Sequence, residues 1–173
     1  MKIVCKTINE FIENSKKYGL YDDIDFDDKK KYMELIKYCK ENAHKNSDLF
    51  VILGKLYFNK NFFVNYKKAT EWYMKAAEYD NVTAQIYLGI CYENGLGVTK
   101  DYKRASEWYL KAAEKGDATA QFYLGECYHY GYGVNKDKKQ AIEWYTKAAE
   151  QGDFDALAKL HYYKHFKRSE DNN

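Results

Sequence analysis

The hydrophobic positions of this chain fall into helical stripes, and the stripes come in pairs. Ala84, Leu88, Cys91 and Tyr92 stand at i, i+4, i+7 and i+8, one face of a helix. After Asp101, a second stripe of Ala105, Trp108, Tyr109, Ala112 and Ala113 mixes aromatic with small residues at i, i+3, i+4, i+7 and i+8. The pair then recurs. Trp72, Trp108 and Trp144 lie 36 residues apart, as do Gly89 and Gly125, and Cys91 and Cys127. A fixed period of this length predicts an all-α chain, a solenoid of stacked antiparallel helix pairs with helices A and B in each unit.

Polar punctuation agrees with the stripes. Asn94-Gly95-Leu96-Gly97 stops helix A with glycines suited to positive φ. Asp101 is placed to cap helix B, Gly116 to end it, and Asp117 to cap the next helix A. Gly54, Gly89 and Gly125 stand inside helix A, where glycine costs about 1 kcal/mol against alanine. Their recurrence predicts a close approach beneath an aromatic ring of helix B, and the tryptophans are expected to fill the core of each repeat.

The resulting layout is a divergent N-terminal helix pair as a cap (1–47), repeats at 48–83, 84–119 and 120–153, and a C-terminal capping helix with tail (154–173). In the first pair, Ile3, Val4, Ile8, Phe11 and Ile12 mark a helix over 2–18. Gly19 stops it, Asp22 to Asp28 form an acidic connector, and a helix over about 28–45 carries Tyr32, Leu35, Ile36, Cys39 and Ala43. Repeat one keeps Leu53-Gly54, Tyr57, Ala69, Trp72-Tyr73 and Ala76-Ala77 but reads Asn59-Lys60-Asn61-Phe62-Phe63 where later copies have Gly-x-Gly. The last helix departs from the repeat with His161 in place of the glycine.

Composition narrows the classes of function. Twenty-eight basic against 26 acidic residues leave a net charge of +2, without the basic excess of a nucleic-acid binder. No apolar run is long enough to span a membrane, and Met1–Lys17 lacks the apolar core of a secretory signal. The expected location is the cytoplasm, or a host cell's cytoplasm for a virus or intracellular microbe. Proline is absent, which favours unbroken helices, and the 19 tyrosines are mostly expected as gap fillers between them. Cys5, Cys39, Cys91 and Cys127 form no CxxC pair and are read as reduced thiols; stacked equivalents would lie ~10 Å apart, too far for a disulfide.

Other features imitate chemistry. Gly95-x-Gly97 and Gly131-x-Gly133 come after a helix rather than a strand, so they do not read as phosphate loops. His161 and His165 have two-histidine metal spacing, but no glutamate follows His161. Glu71, Glu107 and Glu143 precede Lys75, Lys111 and Lys147 by four residues, the spacing of a helix-stabilising pair. No catalytic residue, cofactor or metal is expected.

The string Ala-Gln-x-x-Leu-Gly-x-x-Tyr, then Gly-x-Gly-Val, Asp, and Trp-Tyr-x-Lys-Ala-Ala-Glu-x-Gly, complete at 84–117 and 120–153 and partial at 48–81, resembles the Sel1-like repeat family of tetratricopeptide-like α-solenoids. The resemblance implies a right-handed superhelix whose concave face serves as a scaffold for protein partners. One secreted, disulfide-rich branch is linked to penicillin binding, but its helix B ends in a cysteine where this chain has Ala113 and Ala149.

Helix A residues outside the core stripe vary between copies: Phe50, Val51, Lys55 and Phe58; Gln85, Ile86, Ile90 and Glu93; Gln121, Phe122, Glu126 and His129. Variation on a uniform frame is what a partner-reading surface shows, and also what an unconstrained surface shows; for Ile86 and Phe122 the alternative is packing between repeats. The expected function is a non-enzymatic, monomeric scaffold or adaptor that binds a protein or peptide, with no nucleic acid and no membrane. The alternatives are an enzyme or binder acting on β-lactam or cell-wall-like molecules, and a self-assembling structural protein.

Overall fold

The computed structural model describes residues 29–59 and 64–170. The helix expected over 2–18, its stop at Gly19, the Asp22–Asp28 connector, Cys5 and most of the 59–63 loop lie outside the described residues. Those described form eight α-helices and no strand. The chain divides into two compact units, Met1–Asn81 and Val82–Asn173.

In the first unit, α1 (Lys29–Asn42) runs into a 3-10 turn at Ala43–Lys45. It packs on α2 (Asp48–Phe58), and α2 packs on α3 (Tyr66–Glu78). Helix α1 buries Tyr32, Leu35, Ile36 and Cys39, the stripe that the sequence marks, and Tyr32 donates a hydrogen bond to the Leu56 carbonyl. The second unit begins with α4 (Val82–Asn94), and α5 (Tyr102–Glu114), α6 (Ala118–Tyr130), α7 (Lys138–Glu150) and α8 (Phe154–Glu170) each pack on the one before. Helices α2, α4, α6 and α8 hold the A position; α3, α5 and α7 are B helices.

The caps fall where the polar residues place them. Asn65, Asp101, Asp117 and Asp153 each accept a backbone N–H three residues on, at 3.0, 3.0, 2.9 and 2.8 Å. Asp137 takes two such donors. Each cap is worth about 1 kcal/mol. The turns out of helix B use left-handed residues, Gly116 at φ 90° and Gly152 at φ 89°. Between the two helices of a repeat, one backbone bond closes the loop: Asp101 N–H donates to Tyr92 and Asp137 N–H to Tyr128, both at 2.9 Å. Repeat one, whose loop sequence differs, keeps that bond from Asn65 to Tyr57 at 2.8 Å.

The core of each repeat is a tyrosine over a glycine. A Cβ built on Gly54, Gly89 or Gly125 would stand 2.3, 2.3 and 2.6 Å from Cε1 of Tyr73, Tyr109 and Tyr145 respectively. These distances are far inside van der Waals contact, so only glycine admits the ring. The expectation of a ring over the glycine holds, but the tryptophans are not its source. Tyr73, Tyr109 and Tyr145 are almost wholly buried, whereas Trp72, Trp108 and Trp144 are only partly buried beside them. The physical reason is position along the helix. The tyrosine, one residue further on, faces helix A, while the tryptophan lies at the edge of the stripe. Lys75, Lys111 and Lys147 cover the tryptophans, with ammonium groups 4.3, 4.2 and 3.8 Å from the ring centroids. This cation–π contact stands where the spacing predicted a Glu–Lys pair.

Candidate functional site

The twelve variable positions resolve into four sets, counted from the glycine under each core tyrosine. Four residues before it stand Phe50, Gln85 and Gln121. Phe50 stacks with Trp72 and Tyr79, at centroid distances of 5.8 and 5.9 Å. Gln85 Oε1 accepts a hydrogen bond from Lys115 Nζ at 3.2 Å. Gln121 Oε1 accepts one from Gln151 Nε2 at 2.8 Å, and its own Nε2 donates to the Ala113 carbonyl at 3.3 Å. Tyr79, Lys115 and Gln151 are one position, the residue closing helix B. The copies therefore vary together, as ring on ring, amide on ammonium, and amide on amide.

Three residues before the glycine, Val51 and Ile86 are buried, and Phe122 is half-buried between Tyr123 and Tyr145, 5.8 Å from each. One residue after it, Lys55 is buried and Ile90 packs on the core of the second unit. Glu126, in the same set, accepts the Tyr145 hydroxyl proton and pairs with Lys159 at 2.7 Å. Four residues after it, Phe58 meets Tyr66 edge-on at 5.1 Å, Glu93 accepts a hydrogen bond from the Tyr109 hydroxyl at 2.7 Å, and His129 Nδ1 shares one with the Tyr163 hydroxyl. In repeats two and three the core tyrosine thus finds a carboxylate from two different positions, Glu93 in one and Glu126 in the other.

These placements correct the expectation that the core leaves such residues uncovered. Val51, Lys55, Gln85, Ile86 and Gln121 are buried. A wheel drawn for one helix counts only the stripe facing its own partner. A helix in a stack is covered on two sides, as the reach of Gln121 back to Ala113 on α5 shows.

An aromatic strip in the second unit reaches the surface at two of its rings. Tyr102 at the start of α5 stacks on Tyr132 in the next inter-helix loop, with centroids 4.6 Å apart, and Tyr132 stacks on Tyr130 at 5.2 Å. Tyr130 meets His129 at 4.4 Å, His129 meets Tyr163 at 5.6 Å, and Tyr163 meets Tyr162 at 6.0 Å. The loop can hold Tyr132 there because Gly133 lies against the backbone of Tyr102, where an added Cβ would stand 2.1 Å from the carbonyl oxygen. Tyr130 and Tyr162 are 48% and 52% exposed, so two large rings of the strip face solvent. Ammonium groups border it, with Lys100 4.5 Å from the Tyr102 ring, Lys159 5.3 Å from Tyr130, and Lys138 5.3 Å from Tyr163.

The sequence pointed to His129 in this strip and missed Tyr130 and Tyr162. Their signal was present. Tyr130 stands where α4 ends in Asn94, an aromatic at a polar place, and Tyr162 stands where α6 has Glu126.

The titratable groups suit cohesion rather than proton transfer. Burial, reinforced by Glu93, holds the Tyr109 hydroxyl far above the ordinary tyrosine range, and burial with the Glu126 hydrogen bond does the same for Tyr145. Burial pushes the Cys39 and Cys127 thiols up to about 12, so neither offers a thiolate at neutral pH. Burial and Lys159 lower His129, which keeps its ring neutral. Cys39, Cys91 and Cys127 are buried outside any disulfide, and among the described residues no group of three or more His, Cys, Asp or Glu could hold a metal. No described helix is long and apolar enough to cross a membrane.

Comparison with known proteins gives the frame an identity. The family described as Sel1 repeat matches residues 53–79, 82–117 and 118–153. A Sel1 repeat protein of Oxalobacter formigenes is 38% identical over 73% of this chain and 96% of its own, with a TM-score of 0.65. A protective antigen of uropathogenic Escherichia coli with the same repeat fold is 39% identical over 68% of this chain, with a TM-score of 0.65. This chain spans only 26% of that antigen's length. Cysteine-rich protein B of Helicobacter pylori is 26% identical over 90% of this chain and 98% of its own, with a TM-score of 0.55. Among curated proteins, none matches.

Proposed function

The chain belongs to the Sel1-repeat family, and on that premise we propose that it is a non-enzymatic interaction scaffold that takes a peptide or a protein surface against the aromatic strip of its second unit. Sel1-repeat proteins are generally protein-interaction scaffolds, and members of the family are typically non-enzymatic. The observation that carries the reading is the pair of half-exposed rings, Tyr130 and Tyr162, joined by ring contacts through His129 and the buried Tyr163. Rigid aromatics with a polar tip supply contact area at low entropic cost, which is why they dominate binding hot spots. The Glu126–Lys159 pair beside them offers a partner one charge of each sign.

The test is affinity capture from the native cell with the wild type and with the Tyr130→Ser, Tyr162→Ser double variant. Each substitution removes ring contacts and should cost about 0.5–1.5 kcal/mol, and circular dichroism checks that the helices are kept. A protein retained by the wild type should be lost from the variant. Equal retention would place the partner elsewhere, and turnover of a β-lactam by the purified protein would overturn the non-enzymatic reading.

A further inference from the structure

The first unit carries a different kind of surface. A groove of about 420 Å³ is lined by Lys40 of α1, Tyr57 of α2, and Lys68, Trp72, Met74 and Lys75 of α3. Lys40 and Lys68 come from different helices, yet both direct their ammonium groups at the ring of Tyr57, 5.7 and 5.3 Å from its centroid. Lys75 lies 4.3 Å from the centroid of Trp72. Among the described residues, none of the three reaches a carboxylate at ion-pair distance. A ring face is a weak substitute for an anion, worth about 0.5–1 kcal/mol at an exposed site. The surrounding helices add to the imbalance, since α1 has five lysines to two glutamates and α3 three to two, in a chain whose net charge is only +2.

We propose that this groove is a docking site for an acidic peptide segment whose carboxylates are spaced by apolar side chains. The carboxylates take the places that the Tyr57 and Trp72 rings now fill as counter-charge for Lys40, Lys68 and Lys75. An apolar side chain of the segment lies on Trp72 and the exposed Met74. Glu71 and Glu78 line the same groove, and they decide the spacing. They repel an unbroken run of negative charge, which disfavours a polyphosphate or nucleic-acid backbone and favours carboxylates set apart. The volume falls within the range of pockets that hold small ligands, about 300–1,000 Å³, so the groove accommodates a few residues of the segment. This site lies outside the aromatic strip and does not depend on the function proposed for it.

The experiment titrates a fluorescein-labelled nonapeptide of alternating acidic and Leu or Phe residues with the full chain, read by fluorescence anisotropy. Three proteins are compared: the wild type, Lys40→Gln/Lys68→Gln/Lys75→Gln, and Lys103→Gln/Lys111→Gln/Lys139→Gln, which removes the same charge from the second unit. Saturable binding to the wild type is expected, weakened about tenfold or more in the first triple variant and little changed in the second. Raising salt from about 50 to about 300 mM should weaken it several-fold. Circular dichroism checks that both variants keep their helices. Absence of saturable binding overturns the proposal, as does equal loss in both variants, which would mark a response to bulk charge. Displacement of the peptide by an equal concentration of inorganic phosphate also overturns it, because the groove would then be a simple anion site.

Discussion

In the first unit the turn out of helix B is made by Asp80, at φ 61°, where the second unit uses Gly116 and Gly152. The margin of the same repeat is a stack of Trp72, Phe50 and Tyr79, where the second unit has Gln85 with Lys115 and Gln121 with Gln151. Other contacts do not change at all. Glycine lies under tyrosine in all three repeats, and the same backbone bond closes each loop. The difference separates two kinds of contact. A ring seated on a bare backbone leaves no room for a side chain at the glycine. A pair of side chains at the rim can exchange its chemistry as long as both members change. The exposed surfaces diverge further, into a lysine-lined groove in the first unit and an aromatic strip in the second.

The largest test of that separation is Tyr109→Ala, which should cost about 3–5 kcal/mol in urea denaturation, while Trp108→Ala at the partly buried edge should cost clearly less. Equal losses would return the tryptophan to the centre of the repeat. The hydroxyl of Tyr109 adds a pH dependence. Its folded pKa lies above the unfolded value of 10.0, so its contribution is complete below pH 10 and lost as pH rises beyond it. Tyr109→Phe should flatten the decline of the urea midpoint between about pH 9 and 11 that the wild type shows. A parallel decline in both proteins would mean that other groups control it.

Gly54→Ala and Gly89→Ala probe the invariant contact in both units. Each should lose about 1–3 kcal/mol through overpacking against the ring, and the two losses should match, since both Cβ atoms meet Cε1 at 2.3 Å. A negligible loss at either site would show that the ring moves aside freely. Asp80→Gly should stabilise the first unit by up to about 1 kcal/mol, and Gly116→Ala should destabilise the second by a similar amount. Nothing lies within 4 Å of a Cβ at Gly116, so a thermal melt of that variant reports backbone strain alone. The smallest expected effect belongs to the rim. Gln121→Phe and Gln151→Tyr, made singly and together, should couple favourably by about 0.5–1 kcal/mol in a double-mutant cycle. Additive losses would show that the rim pairs do not vary as units.

Much of this fold was legible in the chain because its causes are local. Asp101 and Asp117 cap where their spacing from the apolar stripe predicts, and Gly95 and Gly116 turn the chain where a positive φ is required. Gly89 announced a close approach through its cost inside a helix. The candidate surface was harder to read. Glu126 and His129 differ from their counterparts in earlier repeats, and the difference suggests recognition. Both also make contacts with α8, through Lys159 and Tyr163, and contacts of that kind with a distant helix are not written in the local pattern.

By itself, the sequence determined the number and order of the described helices, their caps and turns, and the stripe by which each helix is buried. Those features depend on residues three or four positions apart. Tertiary structure decided which aromatic is central and which variable residues remain open, choosing Tyr109 over Trp108, and Tyr130 and Tyr162 over Gln85 and Gln121. That choice depends on coverage by helices distant in the chain, and a stacked helix is covered from more directions than its own periodicity records.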